Sequence, residues 1–306
     1  MSLANEFFVL FGKNVTRDAQ GLNARLHFFG SIPVEDGSPV SSTREDVPSM
    51  NVRAARPTVV ALVSVNGGVG RSTLATALSS GLQRQGESVV ALDLDPQNAL
   101  RHHFGVSPDA EGLGPASLQN AQWAAIQQPG FAGCKVITFG STSTRQQESL
   151  QRWLTHEPDW LARRLEDLSL GARHTLIIDT PAGNNVYFQQ ALSVADVVLV
   201  VTQADAASLA TLDQLDALLA PHLKRERPPR VHFVVNQVDE CNAFSLDMVE
   251  AFKQRLGSTL YEFHRDVVIS ESLAFSTDPL DSQSMRLAAD DINDLCRLLR
   301  VSKKYV

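Results

Sequence analysis

Apolar positions from Thr58 onward follow two alternating patterns. Short runs rich in β-branched residues are typical of strands, and the segments between them carry apolar residues at helical spacing. Near-continuous apolar runs such as 197–201 indicate strands that are covered on both faces. This alternation predicts an α/β fold, with a mostly parallel, twisted sheet of about seven strands and helices on both faces. The predicted strands are 58–65, 88–95, 136–140, 175–180, 196–202, 230–236 and 260–264.

The first 57 residues follow neither pattern. Residues 7–11 and 27–29 are apolar or aromatic, whereas 34–57 are rich in proline, glycine, serine and mixed charges. The polar tract predicts a linker or disorder, and the apolar piece either folds back on the main domain or docks on a partner. We therefore expect a partly disordered extension and linker at 1–57 and one domain at 58–306.

Composition narrows the class of protein. Hydrophobic residues make up 43% and charged residues 20% of the chain, as in globular proteins, and no apolar run approaches the roughly 20 residues of a membrane span. The amino terminus lacks a signal-peptide pattern, so a cytoplasmic protein is expected. The net charge of −7 gives no general attraction to DNA. Cys134, Cys241 and Cys296 are too far apart to indicate a metal centre or an iron–sulfur cluster and are predicted to be buried thiols.

A glycine-rich loop follows the first predicted strand and precedes a predicted helix. Its glycines allow backbone N–H groups to converge, and the helix dipole favours an anion such as a nucleotide phosphate. Arg71 stands where a P-loop has its phosphate-binding lysine, and Ser72 stands where a P-loop has its Mg²⁺ ligand. The candidate binding residues are Asn66, Gly67, Gly68, Val69, Gly70, Arg71, Ser72 and Thr73.

Carboxylates end two further predicted strands. Asp93 and Asp95 alternate at the end of the second strand, so both side chains are expected on one face, where they can hold metal-bound water. Asp179 ends an apolar strand in the manner of the P-loop aspartate that holds Mg²⁺ through water. Since each motif alone is weak, their ordered occurrence after the glycine loop is what predicts a metal site.

These motifs, in this order, resemble the ParA/MinD family of deviant P-loop ATPases. The family loop reads Lys-Gly-Gly-x-Gly-Lys-Ser/Thr, and its acidic motifs read Asp-x-Asp-Pro-Gln and Asp-Thr-Pro. In this chain, Asn66 and Arg71 replace the two family lysines. The resemblance covers about 58–299 and implies an ATP and Mg²⁺ site in a homodimer that sandwiches the nucleotide.

The two replaced lysines bear on catalysis. By resemblance, Asp95 orients the attacking water and Arg71 acts on the phosphates, while the first family lysine reaches the partner's phosphates. Asn66 cannot supply that charge, and Arg71 presents a planar fork in place of a compact ammonium. Loss of a cross-dimer cation can slow hydrolysis on the order of 10³-fold. We therefore predict nucleotide binding with slow or absent hydrolysis.

Asn236 ends another predicted strand. By resemblance, such an asparagine reads the adenine edge, since its amide offers a donor and an acceptor, and this favours ATP over GTP. An asparagine at this place also has an ordinary explanation as a turn residue.

One branch of the family is more similar still, namely the ParA-like proteins encoded with bacterial cellulose synthase and called BcsQ. Its members also lack the loop lysines and carry a His-Arg-Asp segment, here His264-Arg265-Asp266. The resemblance implies an accessory subunit of the inner-membrane cellulose secretion complex, recruited to the membrane through its partners. By resemblance, His264 and Arg265 border the nucleotide base, although a polar strand end is the plain interpretation.

Two other functions remain open. A partitioning or positioning ATPase that cycles on DNA or membrane would need efficient turnover, against which Asn66 and Arg71 count. An apolar stripe at 287–299 has helical spacing, but a core-packing helix is its commoner cause, so direct membrane insertion is not expected. A nucleotide-free scaffold is disfavoured by the glycines and the acidic motifs.

Overall fold

The computed structural model describes residues 56–282 and 287–303. Its framework is an eight-stranded sheet in the order β3-β4-β2-β5-β1-β6-β7-β8. All neighbouring strands are parallel except β3 and β4, so the α/β prediction is confirmed. The strands are Thr58–Val63 (β1), Ser88–Asp93 (β2), Gln128–Pro129 (β3), Lys135–Ile137 (β4), His174–Asp179 (β5), Val197–Gln203 (β6), Arg230–Val238 (β7) and Leu260–His264 (β8).

The edge strand β3 is the difference between the predicted sheet and the observed one. It pairs antiparallel with β4, where Gln128 lies opposite Val136. Two residues are too few to show a strand pattern, and Pro129 lacks the N–H that a strand interior needs. The strand therefore depends on a partner at the sheet edge rather than on its own sequence.

Helices occupy most of the connections between strands. The helix α1 starts directly after the glycine loop and ends before Gly86, as the sequence predicts. The helices are Arg71–Arg84 (α1), Ala99–His103 (α2), Leu113–Leu118 (α3), Thr144–His156 (α4), Trp160–Asp167 (α5), Val186–Val194 (α6), Ala206–Ala210 (α7), Leu212–Leu223 (α8), Ala243–Leu256 (α9), Val267–Ala274 (α10) and Leu287–Lys303 (α11).

The sheet has a hydrophobic core on each face. Successive residues of β1 alternate between the two cores: Val59 and Ala61 belong to one, and Val60 and Leu62 to the other. All four side chains are buried because helices cover both faces. This explains the near-continuous apolar character of the central strands.

The apolar stripe of α11 packs against α1. Ile292, Leu295, Cys296 and Leu299 are buried in one of the two cores. A methyl group added at Gly81 of α1 would come within 2.8 Å of Ile292, so the absence of a side chain there allows the close approach. The prediction of a core-packing helix is confirmed. None of the helices in the described part of the chain has the length and apolar character of a membrane span.

The predictions for the three cysteines and for the amino-terminal extension have different outcomes. Cys134 and Cys296 are buried as predicted, but Cys241 is exposed. It lies in a polar turn after β7, where its N–H binds the side chain of Asp239, so the prediction of burial is wrong for this residue. The predicted extension and linker cover 1–57, of which 1–55 lie outside the described residues.

Candidate nucleotide-binding site

The predicted phosphate and metal residues meet at one edge of the sheet. Strand β5 lies between β1 and β2, so that Asp179 is in register with Leu62 on one side and with Asp93 on the other. Parallel strands end at the same edge, where ligands of open α/β sheets bind. The glycine loop after β1 and the acidic loops after β2 and β5 therefore surround a common space.

Two glycines shape the loop between β1 and α1. Gly68 and Gly70 have φ angles of 74° and 87°, a region that residues with a side chain rarely adopt. The carbonyl of Gly70 accepts the N–H of Leu74 at 2.9 Å, which closes the first turn of α1. The preceding N–H groups of that turn have no helical partner, and together with the helix dipole they favour an anion.

Residues at and beyond the ends of β5 and β6 contact the end of β1 and the glycine loop. The Thr180 hydroxyl donates to the carbonyl of Leu62 at 2.8 Å, and the N–H of Gly183 donates to the carbonyl of Ser64 at 2.9 Å. Gln203 at the end of β6 donates to the carbonyl of Gly68 at 3.3 Å. Thr180, Gly183 and Gln203 were not predicted as part of the site. Of the three, Gln203 had a recognisable sequence signal, because it is a polar residue that ends an apolar strand.

Arg71 lies beneath the loop and is buried. Its Nη1 donates to the Ser64 hydroxyl and, at 3.3 Å, to the carbonyl of Asn66. Its Nη2 lies 3.9 Å from Asp95 Oδ2, and its Nε lies 3.9 Å from Asp179 Oδ1. One guanidinium therefore joins the phosphate loop to both acidic loops.

Asp93 and Asp95 are two residues apart along the chain but have different environments. Both oxygens of buried Asp93 accept backbone N–H groups, from Asp95 at 2.9 Å and from Leu100 at 3.0 Å. Burial, and then the charge of Asp179, hold the pKa of Asp93 well above its usual range. Asp95 binds the N–H of Gln97 through Oδ1 and directs Oδ2 towards Arg71. Asp93 thus organises the loop, and its predicted contact with metal-bound water stays a prediction.

Asp179 is fully buried, and neither of its carboxylate oxygens has a hydrogen-bond partner among the described residues. Burial raises its pKa to about 6, while the charge of Arg71 and the nearby Ser72 hydroxyl act in the opposite direction. A buried carboxylate without a partner destabilises the folded protein unless a cation or a hydrogen-bond donor lies beside it.

The oxygen ligands in this space fit Mg²⁺. The Ser72 hydroxyl, Asp179 and the Oδ2 of Asp95 are hard donors of the kind that Mg²⁺ accepts, commonly with water and substrate phosphate completing its shell. The partnerless oxygens of Asp179 are the observation that supports this assignment. When bound, such an ion supplies positive charge to the phosphate oxygens.

Asn236 contacts the underside of the glycine loop. It is buried, and its Nδ2 donates to the carbonyl of Val69 at 2.7 Å. Its Oδ1 accepts the N–H of Gln237, where β7 bulges and φ is 58°. The side chain therefore supports the loop in this structure, and the predicted contact with the adenine edge stays a prediction.

The two segments predicted near the base lie beside each other, since Val238 of β7 is in register with His264 of β8. The Nδ1 of His264 is 2.9 Å from Asp291 on α11, and its Nε2 is 3.4 Å from Glu240. Arg265 is exposed, with its Nη1 3.9 Å from Asp239. The pairing of β7 with β8 places these segments beside each other, and their contact with a base stays a prediction.

Tyr187, in the first turn of α6, was missed by the sequence analysis. It is buried with its ring edge-on to Phe139 at 5.7 Å, and its hydroxyl has no partner among the described residues. Burial, and then the charge of Asp95, raise the pKa of this phenol. The sequence shows only a tyrosine among the apolar residues of a helix, so nothing local marks it.

We expect Tyr187→Phe to leave the free energy of unfolding unchanged or to raise it by up to about 1 kcal/mol, because a buried hydroxyl without a partner is removed. The matched control is Thr180→Val, which removes a buried hydroxyl that does have a partner. That variant is expected to lose about 1 kcal/mol. Urea unfolding of the nucleotide-free proteins measures both, and an equal loss in the two would show that the phenol is hydrogen-bonded.

Comparison with known proteins shows which family this chain belongs to. The family model of the cellulose biosynthesis protein BcsQ matches residues 58–298. The chain belongs to the BcsQ family. BcsQ of Escherichia coli K12 is 28% identical over 237 residues, which is 76% of this chain and 90% of the relative. The chromosome partitioning protein ParA of Caulobacter vibrioides is 25% identical over 71% of the chain and 84% of the relative.

Solved structures show the same fold. MinD of Pyrococcus horikoshii, complexed with Mg-ADP, matches this BcsQ-family chain with a TM-score of 0.65 at 18% identity, over 79% of this chain and 96% of that one. A plasmid partition protein of Borrelia burgdorferi bound to AMPPNP matches with a TM-score of 0.65 at 16% identity, over 82% and 100%. The predicted resemblance to the ParA/MinD type and to its BcsQ branch is confirmed.

Proposed function

We propose that this protein binds ATP and Mg²⁺ and acts in the cytoplasm as a nucleotide-held homodimer. In that state it serves as an accessory subunit of the bacterial cellulose synthesis and secretion complex, which recruits it to the inner membrane. The family supports the link to cellulose synthesis. The observation that carries the nucleotide site is the meeting of the glycine loop, Arg71 and the partnerless carboxylate of Asp179 at one sheet edge.

The residues have separate parts in this proposal. The N–H groups of the loop 66–73 and the Arg71 guanidinium hold the phosphates. Ser72, Asp95 and Asp179 hold Mg²⁺ directly or through water. Asp95 also orients the water that faces the terminal phosphate, as the family resemblance implies.

Slow or absent hydrolysis follows from the same loop. Asn66 has a neutral side chain where the family has a lysine that reaches the partner's phosphates, so charge that develops there during hydrolysis lacks that stabilisation. Arg71 is engaged with Ser64 and Asn66 and lies near two carboxylates. By analogy with arginine fingers, loss of such a cation lowers the rate on the order of 10³-fold.

The alternative is a cycling ATPase of the kind suggested by the relatives named ParA and MinD. Three features favour the accessory subunit over it. The loop lacks both family lysines, and Ile292, Leu295 and Leu299 of the α11 stripe are buried in the core, where they are not available to a membrane. The formal charge of −7 also gives no general attraction to DNA.

Calorimetry, light scattering and a turnover assay with purified protein test this function together. We expect ATP binding, a shift from monomer to dimer on adding ATP and Mg²⁺, and turnover about 10³-fold below that of the Caulobacter ParA assayed in parallel. Asn66→Lys restores the family charge and is expected to raise turnover. Wild-type turnover equal to that of ParA would support the cycling ATPase, and absence of ATP binding would overturn the proposal.

The proposed partner needs a separate measurement. We expect the ATP-loaded protein to co-purify with solubilised inner-membrane cellulose synthase subunits and the nucleotide-free protein to do so less. Vesicles of anionic lipid are the comparison, because direct sedimentation with vesicles in the presence of ATP would favour membrane cycling instead.

A further inference from the structure

One nitrogen of the Arg71 guanidinium is hydrogen-bonded, whereas the other two face carboxylates at ion-pair distance, and Nε has no hydrogen-bond partner among the described residues. Its Nη1 is bound to the Ser64 hydroxyl and to the carbonyl of Asn66. Its Nη2 faces Asp95 and its Nε faces Asp179, each at 3.9 Å. Arg71 and Asp95 are each 7% exposed, and Asp179 is 0% exposed, so water screens this group of charges poorly.

The two carboxylates oppose the binding of a polyphosphate. A nucleotide triphosphate brings several negative charges to the loop that lies beside Asp95 and Asp179. In P-loop proteins the metal ion neutralises such charge. In this protein the guanidinium of Arg71 already places a positive charge within 4 Å of both carboxylates.

We propose that Arg71 is a built-in counter-cation for Asp95 and Asp179, which makes the binding of ATP to this site weakly dependent on Mg²⁺. The inference rests on the proposed nucleotide site and adds its metal dependence. Mg²⁺ still binds at Ser72, Asp95 and Asp179, but it contributes less to affinity because Arg71 already supplies part of the positive charge. Arg71 is thus a residue that determines how the site responds to metal.

A lysine cannot take the same part. Its ammonium is a single compact charge, whereas the arginine fork presents donors in several directions at fixed angles. Only the fork can contact the Asn66 carbonyl through one nitrogen while two others face separate carboxylates. Arg71→Lys therefore keeps the positive charge but removes the simultaneous contacts with the Asn66 carbonyl and the two carboxylates. This makes it the informative substitution.

The experiment measures the dissociation constant of ATP by calorimetry in Mg²⁺ and in EDTA, with full-length protein. For wild type we expect the constant to rise by no more than about tenfold in EDTA, and for Arg71→Lys by about 100-fold or more. Arg297→Lys is the matched control, because Arg297 is exposed on α11 and pairs only with nearby Asp294 among the described residues. It should behave as wild type, and circular dichroism verifies that both variants are folded.

The possible results separate the two proposals. A rise of about 100-fold or more for wild type in EDTA overturns the inference while leaving the proposed function intact. Equal tolerance of EDTA by wild type and Arg71→Lys also overturns it, because the fork is then unnecessary. No ATP binding by wild type in either buffer overturns the proposed function, and the inference with it.

Discussion

Gly70→Ala is expected to weaken ATP binding by about 100-fold or more, because the loop can no longer present its N–H groups to the phosphates. A methyl group at this position would lie 2.2 Å from the Nδ2 of Asn236, far inside van der Waals contact. Asn236 is buried and bound to the loop, so it cannot simply move aside. Losing two charge-assisted hydrogen bonds of roughly 1.5–3 kcal/mol each accounts for the size of the effect.

Gly86→Ala is the matched control for this variant. Gly86 has the same φ of 87°, but nothing lies within 4 Å of an added methyl group. Both variants are expected to lose about 1–2 kcal/mol of stability from the left-handed backbone, while only Gly70→Ala loses ATP binding. Calorimetric titration with ATP compares them directly.

A double variant identifies the cause. Asn236→Ala alone also lowers affinity because the loop loses its support, so the informative quantity is the cost of Gly70→Ala in each background. That cost should be smaller in the Asn236→Ala background, where the amide that the methyl group would strike is absent. An equal cost in both backgrounds would show that the clash with Asn236 is not the reason for the loss.

Asp179→Asn is expected to stabilise the nucleotide-free protein at pH 7 and to remove the added stability that Mg²⁺ gives to the ATP complex. Burial raises the pKa of Asp179 to about 6 in the folded protein, whereas an unfolded aspartate titrates near 4. Between about pH 4 and pH 6 the folded state therefore binds more protons, and the free energy of unfolding falls as pH rises. Asparagine has no charge to bury, so this part of the fall disappears.

The expected gain at pH 7 is on the order of 2 kcal/mol. Burial raises the pKa of Asp93 in both proteins, and the charge of Asp179 raises it further in wild type alone. The difference between wild type and variant across pH 4–7 therefore reports the whole effect of the Asp179 charge, including its effect on Asp93. Asp109→Asn makes the same chemical change at an exposed loop position and should show no such difference. Thermal unfolding with ATP, with and without Mg²⁺, gives the second readout.

Either readout can contradict the assignment. If Asp179→Asn is no more stable than wild type at pH 7, the carboxylate is not held as a poorly solvated charge. If the variant keeps the full stabilisation by Mg²⁺, Asp179 is not a metal ligand. If the variant gains stability and loses the response to Mg²⁺, the carboxylate of Asp179 destabilises the nucleotide-free protein and binds the metal in the complex.

Local patterns were sufficient for the framework of this protein. The alternation of apolar strands and amphipathic helices predicted seven of the eight strands. The signal was clearest for central strands such as β1 and β6, whose runs of apolar residues are buried on both faces of the sheet. Position at a strand end predicted that the glycine loop, Asp93, Asp95 and Asp179 would share one edge, since parallel strands end together. The strand β3 was missed because two residues carry no pattern.

The contacts that define the site depended on tertiary structure. Asn236 is 167 residues from Val69 along the chain, yet its side-chain amide donates to the Val69 carbonyl of the glycine loop. Arg71 was expected to face phosphate, but it also lies near Asp95 in the loop after β2 and near Asp179 at the end of β5. Tyr187 lacks a local signal altogether. The residue types and their order predict which chemistry is available, whereas the partners of each buried charge are set by long-range packing, because a poorly solvated group must find its partner wherever the fold places one.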